Sequence, residues 1–131
     1  MPKEYIAYKG QEFQIEWYYS PAGECQALEY YQDLSLGDRI KVVKLFRMIG
    51  DTGKIRDESK FRNEGHKVYA FKPQPHRFLS FFVEGKKIVI TNAFWKKQNK
   101  LPKSEKERAL KCMESYKARV NEGKYYEEEK E

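Results

Sequence analysis

Two aromatic and β-branched runs, separated by one short glycine-bearing turn, constrain this chain more than any other feature. His76-Arg-Phe-Leu-Ser-Phe-Phe-Val83 is followed by Glu84-Gly85 and then by Lys87-Ile-Val-Ile-Thr-Asn-Ala-Phe-Trp95. Runs of this kind joined across a short turn specify a β-hairpin. In the first run, alternation puts Arg77, Leu79, Phe81 and Val83 on one face and His76, Phe78, Ser80 and Phe82 on the other. Both faces are largely apolar, so a central strand is expected, with helices covering one side. Arg77 is then a cation near the start of a core strand. That is costly unless it pairs with an acid, such as Glu84 or Glu64, or opens onto a cleft.

Other elements follow from period and punctuation. Alternation over Glu12 to Trp17 predicts a half-buried strand. Ser20-Pro21 and the spacing of Ala27, Leu28, Tyr31 and Leu34 predict a short helix over about 21–34. Ser35 is placed to cap a second helix, with Leu36, Ile40, Val43, Phe46 and Ile49 as its stripe and Gly50 as its C-cap. The tight connection makes these two a helical hairpin. Asp51 to Gly65 has no clear period and is expected as a connection. Val68-Tyr-Ala-Phe-Lys72 predicts a strand stopped by Pro73 and Pro75. Ser104 and Glu107 have capping-box spacing, and Ala109, Leu110, Met113, Tyr116 and Val120 mark the buried face of a last helix, about 103–121. The order is β-α-α-β-β-β-α, an α+β domain with the hairpin packed on a small antiparallel sheet.

At 131 residues the chain suits one domain, 1–131, with an acidic tail over 122–131 expected to fray. No apolar run reaches the roughly 20 residues that span a bilayer, and Met1-Pro-Lys-Glu-Tyr5 lacks the apolar stretch of a secretory signal. A cytoplasmic chain without a membrane partner is expected. Cys25 and Cys112 lie far apart with no metal-ligand spacing, which argues against a zinc site or a disulfide-stapled scaffold. The net charge of +6 is uneven. Between Lys54 and Lys103 there are 13 basic against 4 acidic residues, so this segment carries +9 and the rest −3. Folded onto one face, those cations favour a polyanion through counterion release; spread out, they are a solvated exterior.

Leu45 to Tyr116 resembles the RelE/HigB/ParE superfamily of type II toxins, in its HigB-like, phage-derived branch. The resemblance rests on the Asp51-Thr-Gly53 loop, Val68-Tyr-Ala-Phe-Lys72, His76-Arg77-Phe-Leu, Ala93-Phe-Trp-Lys96-Lys97-Gln98, and Leu101-Pro102 ahead of Glu105 and Ala109. It implies a RelE-like fold and a toxin that cuts messenger RNA on the ribosome. In that reaction the 2′-hydroxyl attacks the adjacent phosphate, leaving a 2′,3′-cyclic phosphate and a 5′-hydroxyl with no metal or cofactor. Fixed cations around the phosphorane-like charge, a base and an acid are required. By resemblance, Arg77 contacts the scissile phosphate, a role that suits a bidentate, permanently charged group. Lys97, with Lys96 beside it, stabilises the transition state, and Lys72 stands at a further catalytic cation. Lys67, Lys100 and Lys103 are general RNA contacts. The partners implied are the ribosome, its mRNA and a cognate antitoxin of helix-turn-helix (Xre-type) class.

The departures bear on activity. Tyr69 replaces a Trp, and Ala70 stands where the family carries a Glu, a Glu or Lys near this position being the base in several nucleases. Alanine moves no proton, so the base would fall to Lys67, Lys72, His66 or His76, the two histidines otherwise reading as plain surface residues. The competing expectation is a non-enzymatic interaction protein of the same fold, one that poisons gyrase or only binds an antitoxin.

Overall fold

A computed structural model describes residues 5–126. Strands β1 (Ile6–Lys9) and β2 (Gln14–Trp17) are followed by helices α1 (Gln26–Gln32) and α2 (Leu36–Thr52). Then come β3 (Phe61–Asn63), β4 (Tyr69–Phe71), β5 (His76–Val83), β6 (Lys87–Trp95) and the last helix, α3 (Lys103–Asn121). They build one six-stranded sheet in the order β1-β2-β6-β5-β4-β3.

The expected elements are present, with two additions and one change of type. β1 and β3 are outer strands of four and three residues, too short to show a period. β3 lies inside the segment expected to be plain connection. It carries one ring, Phe61, stacked at 5.5 Å on Tyr69 and tilted at 4.7 Å on Phe71, while Arg62 and Asn63 are exposed. The sheet is mixed rather than antiparallel, because β2 pairs β6 in parallel while every other pair is antiparallel. The intervening helices and strands form a long crossover that brings β6 back alongside β2 in the same direction. Among the described residues, no helix is long and apolar enough to cross a membrane.

Helices cover both faces of the sheet, not one. Phe46 of α2 packs edge-on against Phe71, Phe78 and Trp17. Phe81, of opposite parity to Phe78 on β5, meets Tyr116 of α3 on the other side. α2 shows its apolar stripe only in part. Ser35 caps it, its hydroxyl accepting from the Asp38 amide at 3.2 Å. The buried row is Val42, Leu45, Phe46 and Ile49, while Leu36 and Ile40 are exposed. The helix is apolar over more than one face's width, and the aromatic floor selects the row that includes Phe46. Gly50 is no C-cap. It lies inside the helix, which runs on to a left-handed Gly53 (φ 84°). Gly50 is instead the crossing point of α2 over the β1–β2 hairpin: its carbonyl accepts from the amides of Glu12 and Phe13 at 2.7 and 2.9 Å.

α1 is shorter than expected because Pro21 to Gly23 form a turn, in which the Ser20 hydroxyl accepts from the Glu24 amide. In α3, Pro102 is the N-cap and Ser104 is already helical, so the capping box is not made. Val120, expected on its buried face, is 38% exposed. The acidic tail divides. Tyr125 is 1% exposed, stacked 4.3 Å from Tyr19 and lying under the Arg119 guanidinium. The Tyr126 hydroxyl donates to the buried Glu16 carboxylate at 2.6 Å. Residues 127–131 lie outside the described residues.

Candidate nucleic-acid interface

β5 and β6 pair along their whole length, with one irregularity: Leu79 faces Asn92 but Ser80 faces Ile90, leaving Thr91 as an extra residue. A bulge of one residue moves every later side chain to the other face of the sheet. Beyond it, Asn92 reaches α3, donating to Glu105 at 3.0 Å. Phe94 faces Arg77, and Trp95 faces His76. The bulge thus puts Phe94 and Lys96 on the face that carries Arg77.

On that face a groove is lined by Glu64, Ala70, Lys72, Arg77, Phe94 and Lys96, and closed by Gln98 to Pro102. Arg77 is 8% exposed. Its guanidinium donates to the Gln74 side chain at 3.2 Å and to the His76 carbonyl at 2.9 Å. Among the described residues no carboxylate lies within ion-pair distance of it, so the cation opens onto a cleft. Burial lowers its pKa while the Glu64 carboxylate opposes this; a guanidinium keeps its charge regardless. The Lys72 ammonium stands 3.9 Å from Glu64. Its pKa is lowered chiefly by burial, and further by Arg77, against the pull of Glu64.

Glu64 reaches the groove because of the turn that follows it. Gly65, His66 and Lys67 all have positive φ, at 90°, 54° and 68°. A left-handed backbone is costly for the two residues that carry a Cβ. The turn is closed by a hydrogen bond from the Glu64 amide to the Val68 carbonyl at 2.8 Å. Lys106 of α3 also holds it, its ammonium donating to the Glu64 carbonyl at 2.8 Å.

The residues expected to act fall into three sets. Arg77, Lys72, Lys96 and Lys100 share the groove. Lys97 lines an adjoining cavity with Tyr30, Trp95, Glu105 and Arg108, which shares Phe94, Gln98 and Pro102 with the groove. Lys67, His66 and Lys103 are exposed and line neither. The reading of His76 as a surface residue is corrected: it is 2% exposed and lies on the opposite face from Arg77. Its Nδ1 meets the Tyr30 hydroxyl at 2.7 Å and its Nε2 the Asp38 carboxylate at 2.9 Å, where it joins both hairpin helices to the sheet. Glu64 enters the site beyond the residues singled out for chemistry. The sequence offered it only as a possible ion-pair partner of Arg77, and its place in the groove shows once β3 and β4 are known to flank it.

Residues 29–114 match the family model described as Phage derived protein Gp49-like (DUF891). The chain belongs to this family. Gp49-like proteins are a type II toxin family related to RelE and HigB, and membership implies a toxin with an antitoxin partner. The matched span includes every residue that lines the groove and leaves out β1, β2, the start of α1 and the end of α3. No curated protein matches the chain.

Proposed function

We propose that this Gp49-like chain is a HigB-like toxin that cuts messenger RNA on the ribosome without a metal, and that the groove beside Arg77 is its active site. The observation that carries the reading is the convergence of Arg77, Lys72 and Lys96 on one cleft together with a single carboxylate, Glu64. Three cations on one cleft match the charge that develops on phosphorus and its leaving oxygen, and two of them, Arg77 and Lys72, are held in place by burial and by their partners.

In this reading Arg77 and Lys96 hold the non-bridging oxygens of the scissile phosphate. The Glu64 carboxylate takes the proton of the 2′-hydroxyl as the 2′-oxygen bonds to phosphorus. The bond from phosphorus to the 5′-oxygen breaks, and that oxygen takes a proton from the Lys72 ammonium. The products are a 2′,3′-cyclic phosphate and a 5′-hydroxyl. Lowering the pKa of Lys72 by burial makes it a better proton donor. Glu64 thereby fills the role left open by Ala70, which is buried in the groove wall. Lys100 extends the cationic surface along the strand, with Lys67 and Lys103 as outlying backbone contacts and Lys97 serving RNA from the neighbouring cavity. The antitoxin partner is assigned to the helix-turn-helix class.

The test is cleavage mapping of a message on translating ribosomes. The parent chain gives cuts in phase with codons and ends bearing a cyclic phosphate, and Arg77→Ala abolishes them. Absence of cuts from the parent overturns the nuclease reading. Ala70 favours a second reading, a non-enzymatic interaction protein that acts on gyrase; inhibition of supercoiling by the purified chain, undiminished in Arg77→Ala, supports it.

A further inference from the structure

The core leaves part of α2 uncovered. Leu36, Ile40 and Val43 follow helical i, i+4, i+7 spacing, yet the sheet takes the neighbouring row. Leu36 is left 67% and Ile40 57% exposed, the highest values among the exposed large aliphatic residues. These side chains floor a trough against α1, a cavity of about 350 Å³ whose rim is Arg39, Lys44 and Arg47. No acidic residue lines it.

We propose that this trough is the docking surface for an acidic amphipathic helix of a partner protein. A helix laid along α2 would seat its apolar row on Leu36, Ile40 and Val43, the usual way a groove receives a helix. Glutamates or aspartates flanking that row would face the cationic side chains of Arg39, Lys44 and Arg47. An apolar floor matches a helix better than a sugar–phosphate strand, which the Arg77 groove suits. Identifying the partner as the antitoxin rests on the toxin reading above; the surface and its chemistry do not.

The test uses the full chain and a fluorescein-labelled synthetic peptide of about 18 residues, roughly five helical turns, with leucines in one row and glutamates beside them. Anisotropy is expected to show binding that weakens with salt. Leu36→Glu with Ile40→Glu weakens it by about tenfold or more, as when central apolar anchors are lost. Arg39→Gln weakens it by a smaller factor, and Arg77→Ala leaves it unchanged. A peptide with lysines in place of glutamates does not bind. Equal binding by the double variant overturns the proposal. So does displacement of the peptide by a single-stranded oligoribonucleotide together with loss of binding in Arg77→Ala, which would mark a general polyanion site. Both altered residues are exposed, and an unchanged thermal midpoint verifies that the variant is folded. RNA cleavage plays no part in this measurement, so its outcome is separable from that of the nuclease reading.

Discussion

Lys96 and Lys97 are neighbours in the chain and line two adjoining cavities: Lys96 the groove of Arg77, Lys72 and Glu64, and Lys97 the one beside Tyr30 and Trp95. The bulge at Thr91 decides which of them shares the face of Arg77. Cleavage assays on ribosomes are therefore expected to separate the pair. Lys96→Ala reduces the rate by about a hundredfold, the usual scale for loss of one transition-state donor. Lys97→Ala weakens RNA binding with a smaller effect on the rate. Equal losses would mean that the bulge does not sort the two cations.

Tyr125 fills a cage made by Tyr18, Tyr19, Tyr116 and Arg119, and its hydroxyl accepts from the Tyr19 amide at 3.2 Å. Tyr125→Ala should cost about 3–5 kcal/mol in urea unfolding, the range for emptying a large aromatic site. An unchanged midpoint would show that the segment after α3 contributes nothing to the fold.

A Cβ added at Gly10 would lie 2.2 Å from the backbone carbonyl oxygen of Gly50, and no side-chain motion can relieve that. Gly10→Ala should destabilise the chain by about 1–3 kcal/mol, the range for overpacking. In contrast Gly37→Ala, with open space around it inside α2, should stabilise slightly through helix propensity.

The carboxyl of Asp38 is held below its ordinary value of 3.8, first by its hydrogen bond with His76 and then by the nearby charges of His76 and Lys41. A depressed carboxylate contributes stability that is complete above the unfolded pKa and is lost as pH falls through the folded one. Chemical denaturation of the parent should therefore lose stability as pH drops below about 4. Asp38→Asn should flatten that acid limb; an unaltered limb would mean the pair is not linked to folding.

Burial raises the thiols of Cys25 and Cys112 to about 11. Both stay protonated at neutral pH and should react with iodoacetamide far more slowly in the native chain than in urea. Rapid native alkylation of either would contradict its placement.

The hairpin of β5 and β6 was legible to the residue, because long aromatic and β-branched runs leave little freedom in strand assignment. β1 and β3 were not, since an outer strand of three or four residues needs no more than one or two buried positions. Arg77 was legible as a cation that needed either an acidic partner or a cleft, and the sequence alone did not choose between them. The match of Lys96 rather than Lys97 to that cleft was hidden, because Thr91 carries no mark of a bulge and alternation alone gives the wrong face. Glu64 was legible only as a possible ion-pair partner of Arg77, because its place in the groove depends on a left-handed turn that Gly65 announces but His66 and Lys67 do not. His76 misled because one histidine at a strand start shows nothing of the Tyr30 and Asp38 that enclose it from the two helices.

In the proposed reaction Glu64 supplies the base that Ala70 cannot, and the decisive measurement is cleavage by Glu64→Gln on translating ribosomes. Glutamine keeps the size and hydrogen bonding of the side chain and removes its capacity to take a proton. Codon-phased cleavage is expected to fall by about a hundredfold or more, the scale of general base catalysis, while message binding and thermal midpoint stay as in the parent. Cleavage by Glu64→Gln at the parent rate, over a neutral to alkaline pH range, would contradict it.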